Sequence, residues 1–436
     1  MAAVLDPVAQ DPALAALLEA DAAVAKIGRR IRVLDAIGWP AAMETEFLAG
    51  WHAGKPVLPQ PPTQPQHLGA EMAELDALLQ RIDRGHPIGD WLWKSAWSYR
   101  VAAQMLGGIG TPEFTRCSAL LYGRPDTDYR SQDMTAADAA AAMIESTDDL
   151  IDARLLPPIP CDLTAAQFAE RIRQEITPFF TGDRVEIVLD PQLASKAAAG
   201  SKRITIRATA MFSELDVAQL VQHEAFIHTA TLLNGKHQPY LRTLGVGTPR
   251  TTRTQEGIAT FSEIITGSID INRLRRVALR VLRLKDALDG ADFIQVFRGF
   301  LDAGQAEVES YRSAARIFRG GDVRGKVCFT KDGAYLEGVI GVYLFVRRAL
   351  AEGRAEVLRM LFCGRVTTGD VISLSPYRES GLIAPPRYVP PWARAPERVL
   401  AILAFSAATQ HFRLDTFDLQ RFVDYESETI AESGIG

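Results

Sequence analysis

Two histidines and a glutamate with the chemistry of a hydrolase lie in one short segment, HEAFIH, which begins at His223 and ends at His228. The histidines offer imidazole nitrogens to a zinc ion, and Glu224 is a carboxylate that can accept a proton from water on that metal. Histidines five residues apart lie about 140° apart around a regular helix, so both reach one ion only where the helix contains an extra residue or is distorted. The segment therefore predicts a distorted helix at a metal site. The alternative places His223 at the surface and His228 in the core.

A pair of carboxylates follows in the segment TRTQEGIA and the residues after it. Thr252 and Gln255 have the spacing of a capping box that opens a helix. Glu256 and Glu263 are separated by close to two helical turns, so both lie on one face. We expect Glu256 to be the third ligand, which leaves the fourth position of a catalytic zinc for water. Glu263 is an alternative ligand, an acceptor for a histidine N–H, or part of a solvated face. Gly257 allows another backbone to approach closely.

The sequence before HEAFIH predicts the elements that position it. Ser213 and Asp216 form a capping signature for a helix that contains the motif and ends near Asn234. Alternating apolar residues at 185–189 and 204–208 predict two strands, and a hairpin is one arrangement of them. The second strand is either buried or a sheet edge that could pair with an extended peptide.

The whole chain is predicted to be α+β and mainly helical, with a small sheet beside the active-site helix. Residues 1–160 are expected to form a helical amino-terminal region with a proline-rich connector near 56–65. Residues 161–436 are expected to form the catalytic domain.

Composition argues against several classes of partner. The 436 residues are 47% hydrophobic and 23% charged, as in ordinary globular proteins, and the net charge of -5 leaves no basic surplus for nucleic acid. The amino terminus lacks the pattern of a secretion signal, and the uncharged run 338–346 is too short to cross a bilayer. We therefore expect a cytoplasmic protein without nucleic-acid or membrane partners, whose four scattered cysteines are reduced.

Together, HEAFIH and TQEGIA resemble the motifs of the QEGLA-motif proteins, whose bacterial members are called flavohaemoglobin expression-modulating proteins and which are related to the HExxxH tubulin-tyrosine carboxypeptidases. Ile258 replaces the usual leucine of the second motif. The resemblance continues through RIFRGG at 316–321 and FTKDGAYLEG at 329–338. It implies a zincin-like core that binds one zinc ion, with Glu224 as the catalytic residue. The ligands that it implies are His223, His228 and Glu256.

Further residues are candidates for contacts with the substrate. Tyr335 is the first candidate to stabilise the oxyanion, with His237 and Tyr240 behind it. An exopeptidase that acts at a carboxyl terminus must also bind a carboxylate, which suits an arginine or a lysine. The candidates for this role in the segments that carry the resemblance are Arg316, Arg319 and Lys331. Packing or solvated charge is the alternative for each.

The sequence thus predicts a zinc metallopeptidase of carboxypeptidase type, which hydrolyses a peptide bond at a peptide or protein carboxyl terminus with Glu224 as general base. A zinc amidase that acts on a small molecule is an alternative. A regulatory protein that binds metal without turnover is another, although the presence of Glu224 favours catalysis. The resemblance does not establish tubulin as the substrate.

Overall fold

A computed structural model describes residues 11–62, 64–128, 133–150, 159–193 and 195–409. The chain divides into two compact units, Met1–Arg394 and Ala395–Gly436. The predicted boundary near residue 160 stays a prediction. No helix in the described parts of the chain has the length and apolar character needed to span a bilayer.

The first part of the chain is helical. Asp11 caps the first helix by accepting a hydrogen bond from Ala13 N, and Pro12 occupies the first turn, where no backbone donor is needed. Residues 53–62 and 64–68 form neither helix nor strand. The helices are α1 (Pro12–Gly28), α2 (Val33–Ala36), α3 (Ala42–His52), α4 (Gly69–Arg81), α5 (Pro87–Gly107), α6 (Pro112–Tyr122) and α7 (Ala136–Leu150).

Two small sheets follow. The strands are β1 (Leu163–Thr164), β2 (Glu186–Asp190), β3 (Ala197–Ala199), β4 (Arg203–Arg207) and β5 (Met211–Phe212). In the larger sheet the order is β2-β4-β3, with β2 parallel and β3 antiparallel to β4. The hairpin predicted from the apolar segments 185–189 and 204–208 is therefore wrong. β2 and β4 pair in parallel, and β3 lies between them along the chain. β4 is also the central strand, so it cannot pair with a peptide as a sheet edge.

The helix that carries HEAFIH is built from three consecutive segments. Ser213 and Asp216 form the predicted capping box at the start of α9 (Glu214–Leu220). Thr164 and Gln167 form another at the start of the neighbouring α8 (Ala165–Ile176). The core beneath contains Phe168 stacked on Phe212 at 3.9 Å between ring centroids. The segments are α9 (Glu214–Leu220), a π-helical segment (Val221–Thr229) and α10 (Ala230–Lys236), with α8 at Ala165–Ile176.

The remaining helices complete an α+β fold that is mainly helical, as predicted. A 3-10 turn, Pro249–Thr251, leads into α11, and the predicted Thr252–Gln255 capping box is absent because the Gln255 side chain accepts hydrogen bonds elsewhere in the core. The helices are α11 (Thr252–Ile265), α12 (Ile271–Asp289), α13 (Phe293–Asp302), α14 (Glu307–Phe318), α15 (Gly333–Ala351), α16 (Glu356–Met360), α17 (Thr368–Leu374), α18 (Pro391–Arg394) and, in the second unit, α19 (Pro396–Thr409).

Helices α11 and α15 cross in close contact at two glycines. A Cβ atom on Gly257 would lie 2.3 Å from the carbonyl carbon of Gly338, and one on Gly338 would lie 2.1 Å from the carbonyl oxygen of Arg253. No side chain fits in that space. The prediction that Gly257 permits close approach of another backbone is confirmed, and the approach places the start of α15 against the helix that carries Glu256.

Candidate metal and catalytic site

The π-helical segment brings the two histidines of HEAFIH together. Its wider turn, with i→i+5 hydrogen bonds, places residues five apart on one face, and the rings of His223 and His228 lie 4.8 Å apart with an interplanar angle of 86°. Both residues are buried. The distortion predicted from the five-residue spacing is present, and neither histidine lies at the surface.

Glu256 on α11 faces both imidazoles. Its Oε2 atom lies 3.5 Å from Nε2 of His223 and 3.5 Å from Nε2 of His228. The same oxygen is buried and has no hydrogen-bond partner. One atom from each of the three residues lies within 4.8 Å of the others. Ligands about 2.1 Å from a tetrahedral zinc are about 3.4 Å apart, so a buried oxygen with no partner at this distance from two nitrogens fits a metal site.

Glu263 orients the first histidine. Its Oε1 lies 2.6 Å from Nδ1 of His223, and Arg273 on α12 donates to both of its oxygens at 3.1 and 3.2 Å. With a proton on Nδ1, the ring donates to this carboxylate and presents the lone pair of Nε2 toward Glu256. Of the alternatives for Glu263, the structure places it as the acceptor for the histidine N–H. Burial raises its pKa, but the charge of Arg273 and the bond from His223 outweigh this and hold the pKa at about 2.

Lys331 fixes the other oxygen of Glu256. Its Nζ donates to Oε1 at 2.9 Å, so only Oε2 remains directed at the histidines. Burial by itself would raise the pKa of Glu256, but the Lys331 charge and the two histidines hold it well below the usual range. Glu256 is therefore an anion that could serve as a metal ligand.

The second histidine lies beside Arg365 and Gln255. Arg365 Nη1 lies 3.4 Å from His228 Nδ1 and donates to Gln255 Oε1 at 2.8 Å, and Thr231 donates to the same oxygen. Burial lowers the pKa of His228, with further contributions from His223 and Arg365, and this favours the neutral ring that metal binding requires. Burial also acts to lower the pKa of His223, but its two carboxylate partners raise it to about 10.

Glu224 is the remaining acid of the motif. It follows a buried histidine and is half-buried itself, and within the described residues its carboxylate forms no hydrogen bond or ion pair. A carboxylate that is not held by a hydrogen bond and stands beside the candidate ligands can accept a proton from a reacting water.

Comparison with known families gives independent information. The profile of the microtubule-associated tyrosine carboxypeptidase family matches residues 45–411, which include every residue of this site. The chain belongs to this family. It is a family of carboxypeptidases, which are hydrolases. A comparison with curated proteins finds no significant match.

Two of the residues predicted to contact the substrate, Tyr335 and Arg316, lie next to each other. Arg316 makes two hydrogen bonds of 2.7 Å to the buried Asp332 and donates to the Tyr335 hydroxyl at 3.3 Å. Lys331 Nζ lies 5.1 Å from the centre of the Tyr335 ring. Lys331 and Tyr335 thus lie next to each other, although Lys331 belongs to the 3-10 turn Thr330–Asp332 and only Tyr335 to α15.

Arg319 follows α14, with its guanidinium 5.2 Å from the Phe329 ring. The other two oxyanion candidates follow α10. His237 is exposed at the end of α10, where its Nε2 lies 3.3 Å from Asp183, and Tyr240 is half-buried in the following loop.

Sequence reasoning missed three residues around the candidate site. Arg273 and Asp332 hold Glu263 and Arg316, and Arg365 lies against His228. Asp332 stands next to Lys331 in a segment already singled out, which was a usable signal. Arg273 and Arg365 have no sequence signal, because their partners lie 10 and 110 or more residues away along the chain.

Proposed function

We propose that this protein is a zinc-dependent carboxypeptidase that removes residues from the free carboxyl terminus of a peptide or protein. The observation that supports this most strongly is the unpartnered, buried Oε2 of Glu256, which faces Nε2 of both His223 and His228. These three residues would hold one zinc ion in a zincin-like core, with the metal-binding helix beside a small sheet.

Each ligand of the proposed ion is supported by a neighbour that fixes its orientation. Glu263 accepts from His223, Lys331 donates to Glu256, and Arg365 lies at His228. Partners of this kind raise metal affinity because the ligand atoms do not have to be ordered upon binding. Zinc bound here would polarise the scissile carbonyl and acidify a water molecule.

Glu224 takes the role of general base and then of general acid. Its carboxylate accepts the proton of the attacking water and passes it to the amine that leaves. Tyr335 is the proposed donor to the oxyanion, since its ring lies beside Lys331 and its hydroxyl is polarised by the hydrogen bond from Arg316.

The substrate class follows from the family. The family's description names a tyrosine carboxypeptidase associated with microtubules, so a peptide that ends in tyrosine is the first substrate to test. Tubulin is one protein with this chemistry. Whether the physiological substrate is tubulin depends on surfaces outside the site.

The test compares wild type with Glu224→Gln on a peptide that ends in tyrosine and on the same peptide as its carboxyl-terminal amide. Release of free tyrosine from the first peptide, lost by at least about a hundredfold in Glu224→Gln with metal content unchanged, would support the proposal. Equal rates for the variant and wild type would contradict the role of Glu224. If wild type hydrolyses small amides but neither peptide, the result would favour the alternative of a zinc amidase.

A further inference from the structure

The amino-terminal helix is joined by one buried carboxylate to the connector, as we name residues 237–251, which link α10 to α11. Asp21 on α1 is fully buried, and its carboxylate accepts hydrogen bonds from the backbone N–H groups of Arg242 at 2.5 Å and Thr243 at 3.1 Å. The Thr243 hydroxyl also donates to the backbone carbonyl of Asp21 at 3.3 Å. A buried carboxylate is costly unless such bonds satisfy it, so α1 and the connector are tied together at this point.

Helix α1 reaches the connector at a second point. A Cβ atom on Gly28, the last residue of α1, would lie 2.2 Å from the Tyr99 ring, and the Tyr99 hydroxyl donates to the carbonyl of Gly247 at 3.1 Å. Tyr99 is itself buried, on α5. The connector is therefore held at two places by α1 and by the helix packed on it. Helix α1 lies before residue 45, where the match to the family begins.

The held part of the connector packs tightly against the segment that carries Arg365. The carbonyl oxygen of Leu244 accepts a 2.8 Å hydrogen bond from the backbone N–H of Arg365. Cβ atoms on Gly235 and Gly364 would lie 2.0 and 2.7 Å from the same oxygen, so neither neighbouring segment leaves room there for a side chain. Because the packing is this close, a shift of Leu244 has to move Arg365 or α10.

Arg365 in turn reaches the second histidine. Its Nη1 atom lies 3.4 Å from Nδ1 of His228, and its Nη2 atom donates to the His228 carbonyl at 3.4 Å. The same Nη1 donates at 2.8 Å to Gln255, the residue before Glu256. The path from Asp21 to the segments that carry these two proposed ligands thus consists of hydrogen bonds and of residues adjacent in the chain.

We infer that Asp21 is a positioning residue for the metal site, which holds His228 in place through Leu244 and Arg365. This inference rests on the metal site of the proposed function. A ligand that its neighbours hold in place needs less ordering when the metal binds, so loss of a support weakens the affinity. Since Asp21 acts through other residues, its replacement should change the metal site without removing a ligand.

The experiment compares Asp21→Asn with wild type in three measurements. They are zinc affinity by competition with a chromophoric chelator, the visible absorption of the cobalt(II)-loaded protein, which reports ligand geometry, and unfolding in urea. Asparagine keeps the shape of the side chain but presents an NH2 group to one of the two backbone donors. Asp11→Ala is the matched control, since Asp11 caps the same helix and its partners Ala13 and His86 lie outside the connector.

We expect Asp21→Asn to lower zinc affinity by on the order of tenfold and to shift the cobalt absorption, because His228 loses part of its support. Asp11→Ala should lower the urea midpoint but keep zinc affinity and the cobalt absorption. In an Arg365→Gln background, Asp21→Asn should cause no further loss of zinc affinity, because both substitutions act on one path. Thr243→Val removes only a hydroxyl and should shift the cobalt absorption in the same direction, so it tests the inference if Asp21→Asn does not fold.

Wild-type zinc affinity and cobalt absorption in folded Asp21→Asn, or in Thr243→Val where Asp21→Asn does not fold, would overturn the inference. It also fails if the losses from Asp21→Asn and Arg365→Gln simply add, or if Asp11→Ala loses zinc to the same extent. Wild type that holds zinc but cleaves no peptide would refute the proposed function and leave this inference standing. Wild type that binds neither metal would refute both.

Discussion

Replacement of Gly257 by alanine should weaken metal binding and leave the metal-free protein folded. The new Cβ would lie 2.3 Å from the Gly338 carbonyl carbon, whereas ordinary contacts of this kind begin at 3.4 Å, so α11 and α15 must separate by about 1 Å. The neighbouring residue is Glu256, whose 2.9 Å bond from Lys331 connects α11 to the 3-10 turn that leads into α15. A separation of this size lengthens that bond beyond hydrogen-bonding range.

The two effects are similar in free energy, but a large protein shows the loss of stability only as a small change in Tm. Overpacking of this kind costs about 1–3 kcal/mol, and for a chain of 436 residues about 1 kcal/mol corresponds to roughly 1 °C in Tm. We expect Tm of the metal-free protein to fall by only a few degrees, roughly in line with that figure. Zinc affinity should fall by on the order of ten- to a hundredfold, because a ligand loses its supporting contact.

Competition with a chromophoric chelator measures the zinc affinity, and calorimetry measures Tm. Gly333→Ala is the matched control on α15, because its Cβ would meet only Leu284 at 3.6 Å, an ordinary contact. It should bind zinc as wild type does. If Gly257→Ala is folded and binds zinc with wild-type affinity, the close crossing of the two helices does not position Glu256, and that part of the reasoning is refuted.

Three further predictions concern the surroundings of the site. Glu263→Gln should lower zinc affinity by on the order of ten- to a hundredfold in the chelator assay, because His223 loses its anionic acceptor. Wild-type affinity in this variant would show that Glu263 does not support His223. Asp332→Asn should lower the free energy of unfolding in urea by about 3 kcal/mol near pH 7, because Arg316 loses its paired carboxylate. Burial acts to raise the pKa of Asp332, but Arg316 outweighs it and holds the pKa below its usual range. The stabilisation is therefore complete above about pH 4 and is lost as the pH falls, so the stability difference between wild type and Asp332→Asn should shrink in acid. A difference that stays constant with pH would contradict this. Ser213→Ala should cost about 1 kcal/mol through loss of the cap of α9 without changing zinc stoichiometry, and a loss of zinc would show that the cap also positions the ligands.

The parts of the site that follow local rules could be predicted from the sequence. The spacing of His223 and His228 requires a distorted helix if both bind one ion, and the π-helical segment provides it. The capping box at Ser213 and the close approach at Gly257 also depend on the identity of a few neighbouring residues. Local rules of this kind need no knowledge of distant partners.

Errors arose where the fold overrides local preference. Ala197–Ala199 is a strand although alanine is a poor strand former, and this extra strand converts the expected hairpin into a parallel pair with β4 in the centre. Gln255 has the spacing of a capping residue, but its side chain instead accepts from Arg365 and Thr231. The buried ion pairs beside the site join separate segments of the chain, and of their missed members only Asp332, next to Lys331, had a signal in the sequence.

The central claim is that His223, His228 and Glu256 hold one zinc ion. Its most direct test is metal content by mass spectrometry on wild type, His223→Ala and Glu256→Ala purified without chelators, with Glu224→Gln as the control. The account predicts about one zinc per chain in wild type and in Glu224→Gln, and loss of zinc from both ligand variants. Wild-type protein that holds no zinc and cannot be reloaded with it would contradict the account.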